Sequence, residues 1–541
     1  MPSFKLDGQE IPFEPGDTII RAAWRQGIEI PHYCWHPGLS VAANCRMCLV
    51  EIKSDRPMMM PIVQWDEASK SYVPAVKPKL QPACQMPAVA GQEVFAKSPE
   101  VEKAQASVQE FLLLNHPVDC PICDQAGECK LQDYYDSHQH TLKRKRTEPV
   151  HKVKGERFGE TIVYDGERCV MCTRCIRFCD EVAGDHVLDM RERGNKNEIV
   201  LSPGRQLDNK YTLMTEHVCP VGALTSRDFR FKARVWFLKS QPSVCAGCAT
   251  GCNMLIDYDP RNNTVYRLRP RDNPGVNQFW MCDDGMMSYK RFHEARITLG
   301  RVREKAGAQV EVEIDEAIEA AGRALAAVAP GKLAIVLSAQ HSNEDNYALV
   351  ALARELGTDK LYLAALGGWE GDEILRSDDN NPNRAGAILV AGGALKLKSL
   401  KELAVDASSG RVDGVLALGW AAAESAQELA PLARKTLVSL SANEGVLPSL
   451  AAVVVPVATH AETFGTFVNA KGIAQQFKRA IFPPDGVLPA WQVVDNIARA
   501  LGKRVSLGSL AEVRASLPAP APVAVEPRAG ARGRKDEEAQ L

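Results

Sequence analysis

The stretch HPVDCPICDQAGEC, residues His116–Cys129, decides how the rest of this chain is interpreted. Its three cysteines are close neighbours, at Cys120, Cys123 and Cys129. Reduced thiols grouped in this way usually bind metal rather than form disulfides, and three of them need a fourth ligand. His116 is the nearest soft donor, since the preceding helix is expected to end where His116 meets Pro117. Asp119 and Asp124 are harder alternatives, and a histidine beside a proline can also act only as a helix-end cap.

Fifteen of the sixteen cysteines, with that histidine, fall into four sets of four ligands, and no cysteine follows Cys282. The sets are Cys34, Cys45, Cys48 and Cys84; His116, Cys120, Cys123 and Cys129; Cys169, Cys172, Cys175 and Cys219; and Cys245, Cys248, Cys252 and Cys282. The run from Cys169 resembles the bacterial ferredoxin pattern, but Asp180 stands where that pattern has its proline. A cysteine-proline pair follows later, so we expect Cys219 to complete this site and Cys179 to be an ordinary buried side chain.

The first and fourth sets leave two kinds of metal centre open. The first is similar to the plant-type [2Fe-2S] pattern, with a wider first gap and a distant Cys84, and it follows a predicted hairpin and helix in ferredoxin order. Four thiolates could equally bind zinc, both here and in the set from Cys245 to Cys282. We favour a cluster at the fourth set because the chain already carries three other cluster patterns.

Local patterns predict the elements around these cysteines. A hairpin is expected from Ser3 to Phe13, followed by a short helix through Trp24. Ser98 is expected to cap a second helix. Its buried face would carry Val101, Ala104, Val108, Phe111 and Leu112. The segment Lys53–Lys79 is expected to be an inserted surface loop or a partner contact.

From about Ile297 the chain alternates apolar runs with helix-length segments. The runs expected to be strands are Leu333–Ser338, Ala387–Val390, Val415–Leu418, Thr436–Leu440 and Val453–Val457. Such runs, apolar on both faces, predict a doubly wound α/β domain. After about Ser516, prolines and charges predict a disordered tail.

Composition excludes some classes of function. Sixty-five basic and sixty-seven acidic residues leave almost no net charge, so nothing indicates a nucleic acid or an anionic membrane surface as partner. The start lacks a signal-peptide pattern, and no apolar run is long enough to span a membrane. We therefore expect a soluble intracellular protein that reaches a membrane only through partner subunits.

Three segments together resemble one family. The run His116–Asp133, the run Glu167–Phe178 and the set from Cys34 to Cys84 are similar, in the same order, to the G subunits of NADH-quinone oxidoreductase, the large iron-sulfur subunits of respiratory complex I. The resemblance implies a [2Fe-2S] cluster on the Cys34 set and [4Fe-4S] clusters on the His116 and Cys169 sets. It also implies an additional [4Fe-4S] cluster, found in some members, on the Cys245 set.

The resemblance extends to the α/β half, where Ala461–Asn469 is similar to a segment of molybdopterin oxidoreductases. No cysteine there could ligate molybdenum, so a degenerate domain without molybdopterin is implied. The implied fold class is multidomain α+β and α/β. Its domains would be a β-grasp [2Fe-2S] ferredoxin-like domain (1–97), a histidine-ligated [4Fe-4S] domain (98–140), a [4Fe-4S] ferredoxin-like domain (141–240), a four-cysteine [4Fe-4S] segment of molybdopterin-oxidoreductase type (241–300), a degenerate molybdopterin-oxidoreductase-like α/β domain (301–515) and the tail (516–541).

The implied function is electron transfer within an NADH:quinone oxidoreductase, with no catalysis by the isolated chain. Its partners would be a flavin- and NADH-binding subunit and other subunits of the hydrophilic arm. The complex would lie on the cytoplasmic face of the inner membrane. The competing enzyme hypothesis is an iron-sulfur/molybdopterin subunit of an NAD-linked formate dehydrogenase or hydrogenase complex, and the competing structural hypothesis is a zinc scaffold.

Overall fold

The computed structural model describes residues 1–53, 59–138, 145–304, 307–329, 331–392, 397–505 and 510–517. These residues form two compact units, one built on Met1–Trp236 and one on Phe237–Gly530. The predicted tail lies outside the described residues, apart from its first two positions. Among the described helices, none is long and apolar enough to cross a membrane.

The first unit begins with a mixed sheet crossed by one helix. Its elements are β1 (Ser3–Leu6), β2 (Gln9–Pro12), α1 (Ile19–Arg25), β3 (Leu49–Lys53), β4 (Met59–Asp66), β5 (Ser71–Pro78), β6 (Gln81–Pro82) and β7 (Glu93–Phe95). The sheet order is β2-β1-β7-β3-β6, and α1 buries Ile19 and Ile20 with sheet residues such as Phe4. The predicted hairpin and helix are confirmed. The loop between α1 and β3 therefore holds Cys34, Cys45 and Cys48, and Cys84 follows β6.

The segment predicted as an inserted loop is a β-hairpin over its described part. β4 and β5 pair only with each other, from Met59↔Pro78 to Asp66↔Ser71. Alternate residues share a face of the hairpin. One face carries Met59, Pro61, Val63, Trp65, Tyr72, Pro74, Val76 and Pro78. The loop prediction was wrong because these prolines hide the strand pattern, although they are tolerated where a strand has a free edge.

Two helices follow the hairpin, α2 (Pro99–Leu113) and α3 (Lys130–His138). The Ser98 side chain caps α2, as predicted, by accepting from the Val101 amide. The predicted buried face was partly wrong, because Phe111 is 74% exposed and Gln109 is fully buried. Gln109 accepts from the Tyr33 hydroxyl and donates to the Leu131 carbonyl at 2.8 Å. A hydrogen-bonded amide thus replaces an apolar contact at the junction of these helices with the Cys34 loop.

The rest of the first unit is a ferredoxin-like arrangement of short elements. They are β8 (Glu156–Phe158), β9 (Ile162–Tyr164), α4 (Arg174–Phe178), β10 (Leu188–Arg191), β11 (Glu198–Leu201), α5 (Leu213–Val218) and β12 (Leu224–Ser226). The sheet order is β12-β9-β8, and β10 pairs with β11. Cys175 lies in α4, and Cys219 caps the carboxyl end of α5. Two short helices therefore carry these two predicted ligands.

The second unit begins with the antiparallel sheet β13 (Lys239–Val244), β14 (Asn253–Asp259) and β15 (Thr264–Pro270), followed by α6 (Asp283–Met287). The α/β part then runs through β16 (Gly300–Arg303), β17 (Gln309–Val312), α7 (Ile314–Ala326), β18 (Leu333–Ser338), α8 (Asn343–Glu355), β19 (Leu361–Ala364), α9 (Arg384–Val390), β20 (Lys398–Ser399), α10 (Leu400–Ser408), β21 (Gly414–Leu418), β22 (Thr436–Ser441), α11 (Val446–Leu450), β23 (Val453–Pro456), β24 (Gly465–Val468), β25 (Ala474–Phe477), α12 (Ala490–Ala500) and α13 (Leu510–Ser516).

The large sheet of this unit is covered by helices on both faces. Its order is β17-β16-β23-β22-β21-β18-β19-β20, and the strands from β23 to β20 are parallel. Ile335 packs in a cluster with residues of α7, α8 and α12, whereas Val336 packs in a second cluster with residues of α10. Both faces of each central strand are therefore buried, as the uninterrupted apolar runs predicted.

One predicted strand is a helix. Ala387–Val390 lies in α9, and the strand that occupies this part of the sheet is β19, which the sequence analysis missed. A four-residue apolar run is equally compatible with either element. Gly386 lies close to α8, because a Cβ there would be 2.1 Å from Asn343 Oδ1. The glycine allows this short helix to pack closely against its neighbour.

Candidate metal centres

The Cys34 set lies within one loop and the turn after β6. Cys34, Cys48 and Cys84 are buried, and Cys45 is half-buried. The thiols interact in two hydrogen-bonded pairs, Cys34 with Cys45 and Cys48 with Cys84, and Cys34 and Cys48 also interact electrostatically. The hydrogen bond from Cys45 lowers the pKa of Cys34 from its ordinary value, so the pair favours a thiolate at one of its two positions. The structure thus brings the four predicted ligands together as two facing pairs.

The His116 set surrounds a cavity of about 360 Å³. The cavity is lined by His116, Cys120, Cys123 and Cys129, with Arg168 beside them. Burial, assisted by the positive charge of Arg168, lowers the pKa of His116 to about 4. The imidazole is therefore neutral at physiological pH, which leaves a nitrogen lone pair for a metal.

The two carboxylates that could replace His116 as ligand are engaged elsewhere. Asp119 accepts from Lys154 at 2.8 Å and from Arg168 at 3.0 Å. Asp124 is buried, with Oδ1 accepting from the Phe231 amide at 2.7 Å and Oδ2 lying 3.9 Å from Arg230 Nε. These hydrogen bonds favour the imidazole as the fourth ligand.

Gly222 forms part of the wall behind Cys123. A Cβ at this position would lie 2.3 Å from Cys123 Sγ and 3.0 Å from Gln125 Cβ. The Lys130 amide, next to Cys129, donates to the Pro220 carbonyl at 3.1 Å. The segment after Cys219 therefore touches the His116 set on two sides, although Cys219 itself belongs to the Cys169 set.

The Cys169 set combines a tight loop with two helix ends. Met171 and Thr173 have left-handed backbone conformations, with φ of 50° and 60°, which turn the loop between successive cysteines. Burial, together with neighbouring thiols or thiolates, raises the pKa of Cys169, Cys172 and Cys219 to about 11. Thiols in this state need a cation to favour the thiolate form.

Cys179 is fully buried, and the structure separates it from most of this set. Burial, with smaller effects from Asp185 and Asp180, raises its pKa to about 12. Cys175 interacts electrostatically with the three other predicted ligands and, more weakly, with Cys179. This arrangement supports the prediction that Cys179 is a packing residue.

The Cys245 set lies in the second unit, and all four of its cysteines are buried. Cys245, Cys248 and Cys252 occupy the turn from β13 to β14, and Cys282 caps α6 by accepting from the Gly285 amide at 3.4 Å. Burial raises the pKa of Cys245 to about 12, with a further increase from Cys248. The structure thus assembles the four predicted ligands of this set as well.

In the part of the chain that is described, no three His, Cys, Asp or Glu side chains converge as a single metal ion requires. A zinc site needs four ligands at about 2.0–2.3 Å from one point. An iron-sulfur cluster has several metal atoms, so its ligands are spread around a larger space.

Four family models match this chain, and each contains one of the ligand sets. Residues 2–99 match a 2Fe-2S iron-sulfur cluster binding domain, and residues 105–144 match the NADH-ubiquinone oxidoreductase-G iron-sulfur binding region. Residues 159–225 match the ferredoxin-like domain of NADH-quinone oxidoreductase subunit 3, and residues 238–294 match the molybdopterin oxidoreductase Fe4S4 domain.

Curated relatives that match are named as the G subunit of NADH-quinone oxidoreductase. The one from Rickettsia felis is 36% identical over 360 residues, covering 66% of this chain and 50% of the relative. The one from Streptomyces coelicolor is 35% identical over 352 residues, covering 64% of this chain and 39% of the relative. The chain belongs to the family of NADH-quinone oxidoreductase G subunits. It spans about half or less of the length of these relatives.

This member of the G-subunit family therefore carries iron-sulfur cluster binding domains of both the 2Fe-2S and the 4Fe-4S kind. Similarity to solved structures is weaker. A crystal structure of NAD+-reducing [NiFe]-hydrogenase in the H2-reduced state matches with a TM-score of 0.35 and 27% identity, over 43% of this chain and 91% of that chain.

In this G-subunit family member, the Cys34 and Cys169 sets are joined by two arginines of α4 that the sequence analysis missed. Arg174 donates to the carbonyls of Trp35 and Val218, which are neighbours of ligand residues in the two sets. Arg177 donates to the carbonyl of Cys34 at 2.6 Å and to that of Cys172 at 3.2 Å. The sequence contains one signal for these contacts: two arginines lie three residues apart in a helical stretch, beside ligand cysteines.

Proposed function

We propose that this chain is an electron-transfer subunit of an NADH:quinone oxidoreductase. It relays electrons from a flavin-bearing subunit toward the quinone-reducing subunits. The observation that carries the proposal is the continuous connection of three ligand sets within the first unit. The arginines of α4 connect the Cys34 set to the Cys169 set, and the segment from Cys219 to Gly222 connects the Cys169 set to the His116 set.

The ligand chemistry supports one [2Fe-2S] cluster on the Cys34 set and [4Fe-4S] clusters on the His116, Cys169 and Cys245 sets. When bound, such clusters take up and release single electrons, with potentials set by burial, charge and hydrogen bonds to sulfur. The chain supplies those controls. Backbone amides donate to sulfur at three sets: Met47 to Cys45, Met171 to Cys169 and Gly247 to Cys245.

The surface around the His116 set supports its role as the point where electrons leave this chain. Cys120 is exposed, and near it Val118 is 90% exposed and Ile122 is 60% exposed. The cavity wall also includes Tyr135. An exposed apolar rim around a redox site suits contact with a protein partner. We propose other hydrophilic-arm subunits as that partner, and attachment to the cytoplasmic face of the inner membrane through them.

The α/β half is proposed to be non-catalytic and free of molybdopterin. Support comes from the sequence, because no cysteine follows Cys282 and no dinucleotide-binding fingerprint is present. Glu462, in the segment that resembles molybdopterin oxidoreductases, instead forms a buried bidentate ion pair with Arg296, at 2.7 and 2.9 Å. This contact gives that segment a structural role.

The test uses the full chain purified anaerobically. We expect about 14 irons per chain, from one two-iron and three four-iron clusters, with matching sulfide and no molybdenum. Dithionite should bleach the brown absorption. NADH-ferricyanide turnover should be absent until the flavin-bearing partner is added, and formate oxidation should be absent both before and after that addition. A colourless zinc protein would refute the electron-transfer proposal. Turnover of NADH or formate by a preparation free of partner subunits would refute the non-catalytic part.

A further inference from the structure

The guanidinium of Arg177 bonds to ligand residues of two different metal centres. A single nitrogen, Nη2, donates both to the Cys34 carbonyl at 2.6 Å and to the Cys172 carbonyl at 3.2 Å. The other nitrogens are also engaged, with Nε donating to Thr173 Oγ1 and Nη1 to the Ser40 carbonyl. All three nitrogen positions of the side chain are therefore fixed in one orientation.

Other contacts hold the same two segments together without touching a ligand residue. The Asn44 side chain donates to the Met171 carbonyl at 3.2 Å, and the Ser40 amide donates to Glu181 Oε2 at 2.8 Å. These bonds already dock the Cys34 loop onto the segment that contains α4. Docking alone therefore does not require the bonds that Arg177 makes to Cys34 and Cys172.

We propose that Arg177 is a positioning residue that couples the Cys34 centre to the Cys169 centre, both by its charge and by the hydrogen-bonded path through its guanidinium. This inference rests on the electron-transfer function proposed above. Arg177 would then control electron transfer between the Cys34 cluster and the Cys169 cluster.

The path consists of few bonds. It runs from Cys34 through its own carbonyl to one N–H of Arg177 Nη2, and from the other N–H to the carbonyl of Cys172. Electrons cross bonded paths more readily than gaps of the same length. A planar guanidinium holds two acceptors in fixed directions, which the ammonium of lysine cannot reproduce.

The charge acts on both centres at the same time. Nη2 of Arg177 lies 2.6 Å from the Cys34 carbonyl and 3.2 Å from the Cys172 carbonyl, so its positive charge is next to a ligand residue of each centre. A reduced cluster carries one more negative charge than an oxidised one, so a nearby cation favours reduction. Removal of the charge should therefore lower the two potentials together.

The experiment compares Arg177→Gln, Arg177→Lys and the unchanged chain, each purified anaerobically with its clusters. Redox titrations followed by low-temperature electron paramagnetic resonance give the potential of each cluster. Rapid freezing after partial reduction gives the rate of transfer between the Cys34 and Cys169 clusters. Arg227→Gln is the matched control, because Arg227 also bonds a loop carbonyl, that of Glu160 at 2.7 Å, but no ligand residue. The Cys245 cluster is an internal control.

We expect Arg177→Gln to shift the reduced-to-oxidised ratio of both clusters roughly tenfold at a fixed potential, which is ~59 mV for a one-electron couple. Arg177→Lys should largely restore the potentials but leave the transfer slow, because the charge returns and the planar fork does not. Arg227→Gln should change neither quantity, and the Cys245 potential should be constant throughout.

Two results would overturn the inference. One is an Arg177→Gln chain with full iron content whose potentials and transfer rate equal those of the unchanged chain. The second result applies if the Arg177→Gln chain loses iron. In that case, an Arg177→Lys chain with full iron content and an unchanged transfer rate would show that Arg177 is only structural. If the unchanged chain lacks both cluster signals, the proposed function fails instead, and the two failures are therefore distinguishable.

Discussion

Replacement of Gly222 by alanine tests whether Cys123 is held in place by the segment after Cys219. The added Cβ would lie 2.3 Å from Cys123 Sγ, whereas non-bonded heavy atoms settle at about 3.5–4.0 Å. The sulfur and the methyl group must therefore separate by more than ~1 Å. Metal-ligand distances tolerate only about ±0.2 Å, so the sulfur cannot move this far and keep its bond to iron.

Retreat of the peptide is also obstructed, because the same Cβ would lie 3.0 Å from Gln125 Cβ. Overpacking of this kind costs about 1–3 kcal/mol in the free energy of unfolding. We expect Gly222→Ala to lose the His116 cluster, seen as about 4 fewer irons per chain and loss of its electron paramagnetic resonance signal. Gly367→Ala is the matched control, since its Cβ would meet only Ala423 Cβ at an ordinary 3.7 Å. Full iron content and an unchanged signal in Gly222→Ala would refute this reasoning.

Four further substitutions test other parts of the structure. Cys219→Ala should abolish the signal of the Cys169 cluster by removing a thiolate, whereas Cys179→Ala should leave every signal and cost roughly 1 kcal/mol of stability. His116→Cys should lower the reduction potential of its cluster in a redox titration, because a thiolate adds the negative charge that a neutral imidazole lacks. Glu462→Ala should lower the free energy of unfolding by about 3–5 kcal/mol in urea titrations, because it leaves Arg296 buried without its partner.

Each of these predictions has a comparison that can contradict it. Loss of a signal in Cys179→Ala but not in Cys219→Ala would show that the contiguous run completes the cluster. An unchanged potential in His116→Cys would show that the imidazole is not the ligand. Glu319→Ala is the control for the buried ion pair. It removes only an exposed pair with Arg323 and should lower the free energy of unfolding by about 0.5 kcal/mol or less. Equal losses in the two glutamate variants would refute the role of burial.

The sequence predicts the ligand sets because most members of each set are closely and specifically spaced, although Cys84, Cys219 and Cys282 lie farther along the chain. The choice of Cys219 over Cys179 also came from the sequence, through the position of one proline. The buried strands of the α/β half were predictable as apolar runs between helix-length segments. Run length did not separate strands from helices, because the strand run Val415–Leu418 and the helical run Ala387–Val390 both have four residues.

Contacts between distant residues could not be predicted in this way. Phe111 fits an apolar helical stripe by spacing, yet Gln109 takes the buried position because Tyr33 and Leu131, from other segments, supply its hydrogen bonds. The bridge through Arg177 has the same origin, because Cys34 lies 143 residues away in the chain. A pattern along the sequence carries no information about a partner brought close only by the fold.

The sharing of one short segment by two centres has a consequence for how the protein matures and how it is damaged. Cys219 faces one centre, while Pro220 and Gly222 contact the segment that holds the other. Iron insertion at either centre therefore orders peptide that the neighbouring centre also requires. Oxidative loss of the cluster beside the exposed Cys120 would loosen the segment Cys219–Gly222, which both centres share. We expect a time course of cluster reconstitution to show these two centres filling together, and oxygen to destroy them together, while the Cys34 centre follows its own kinetics.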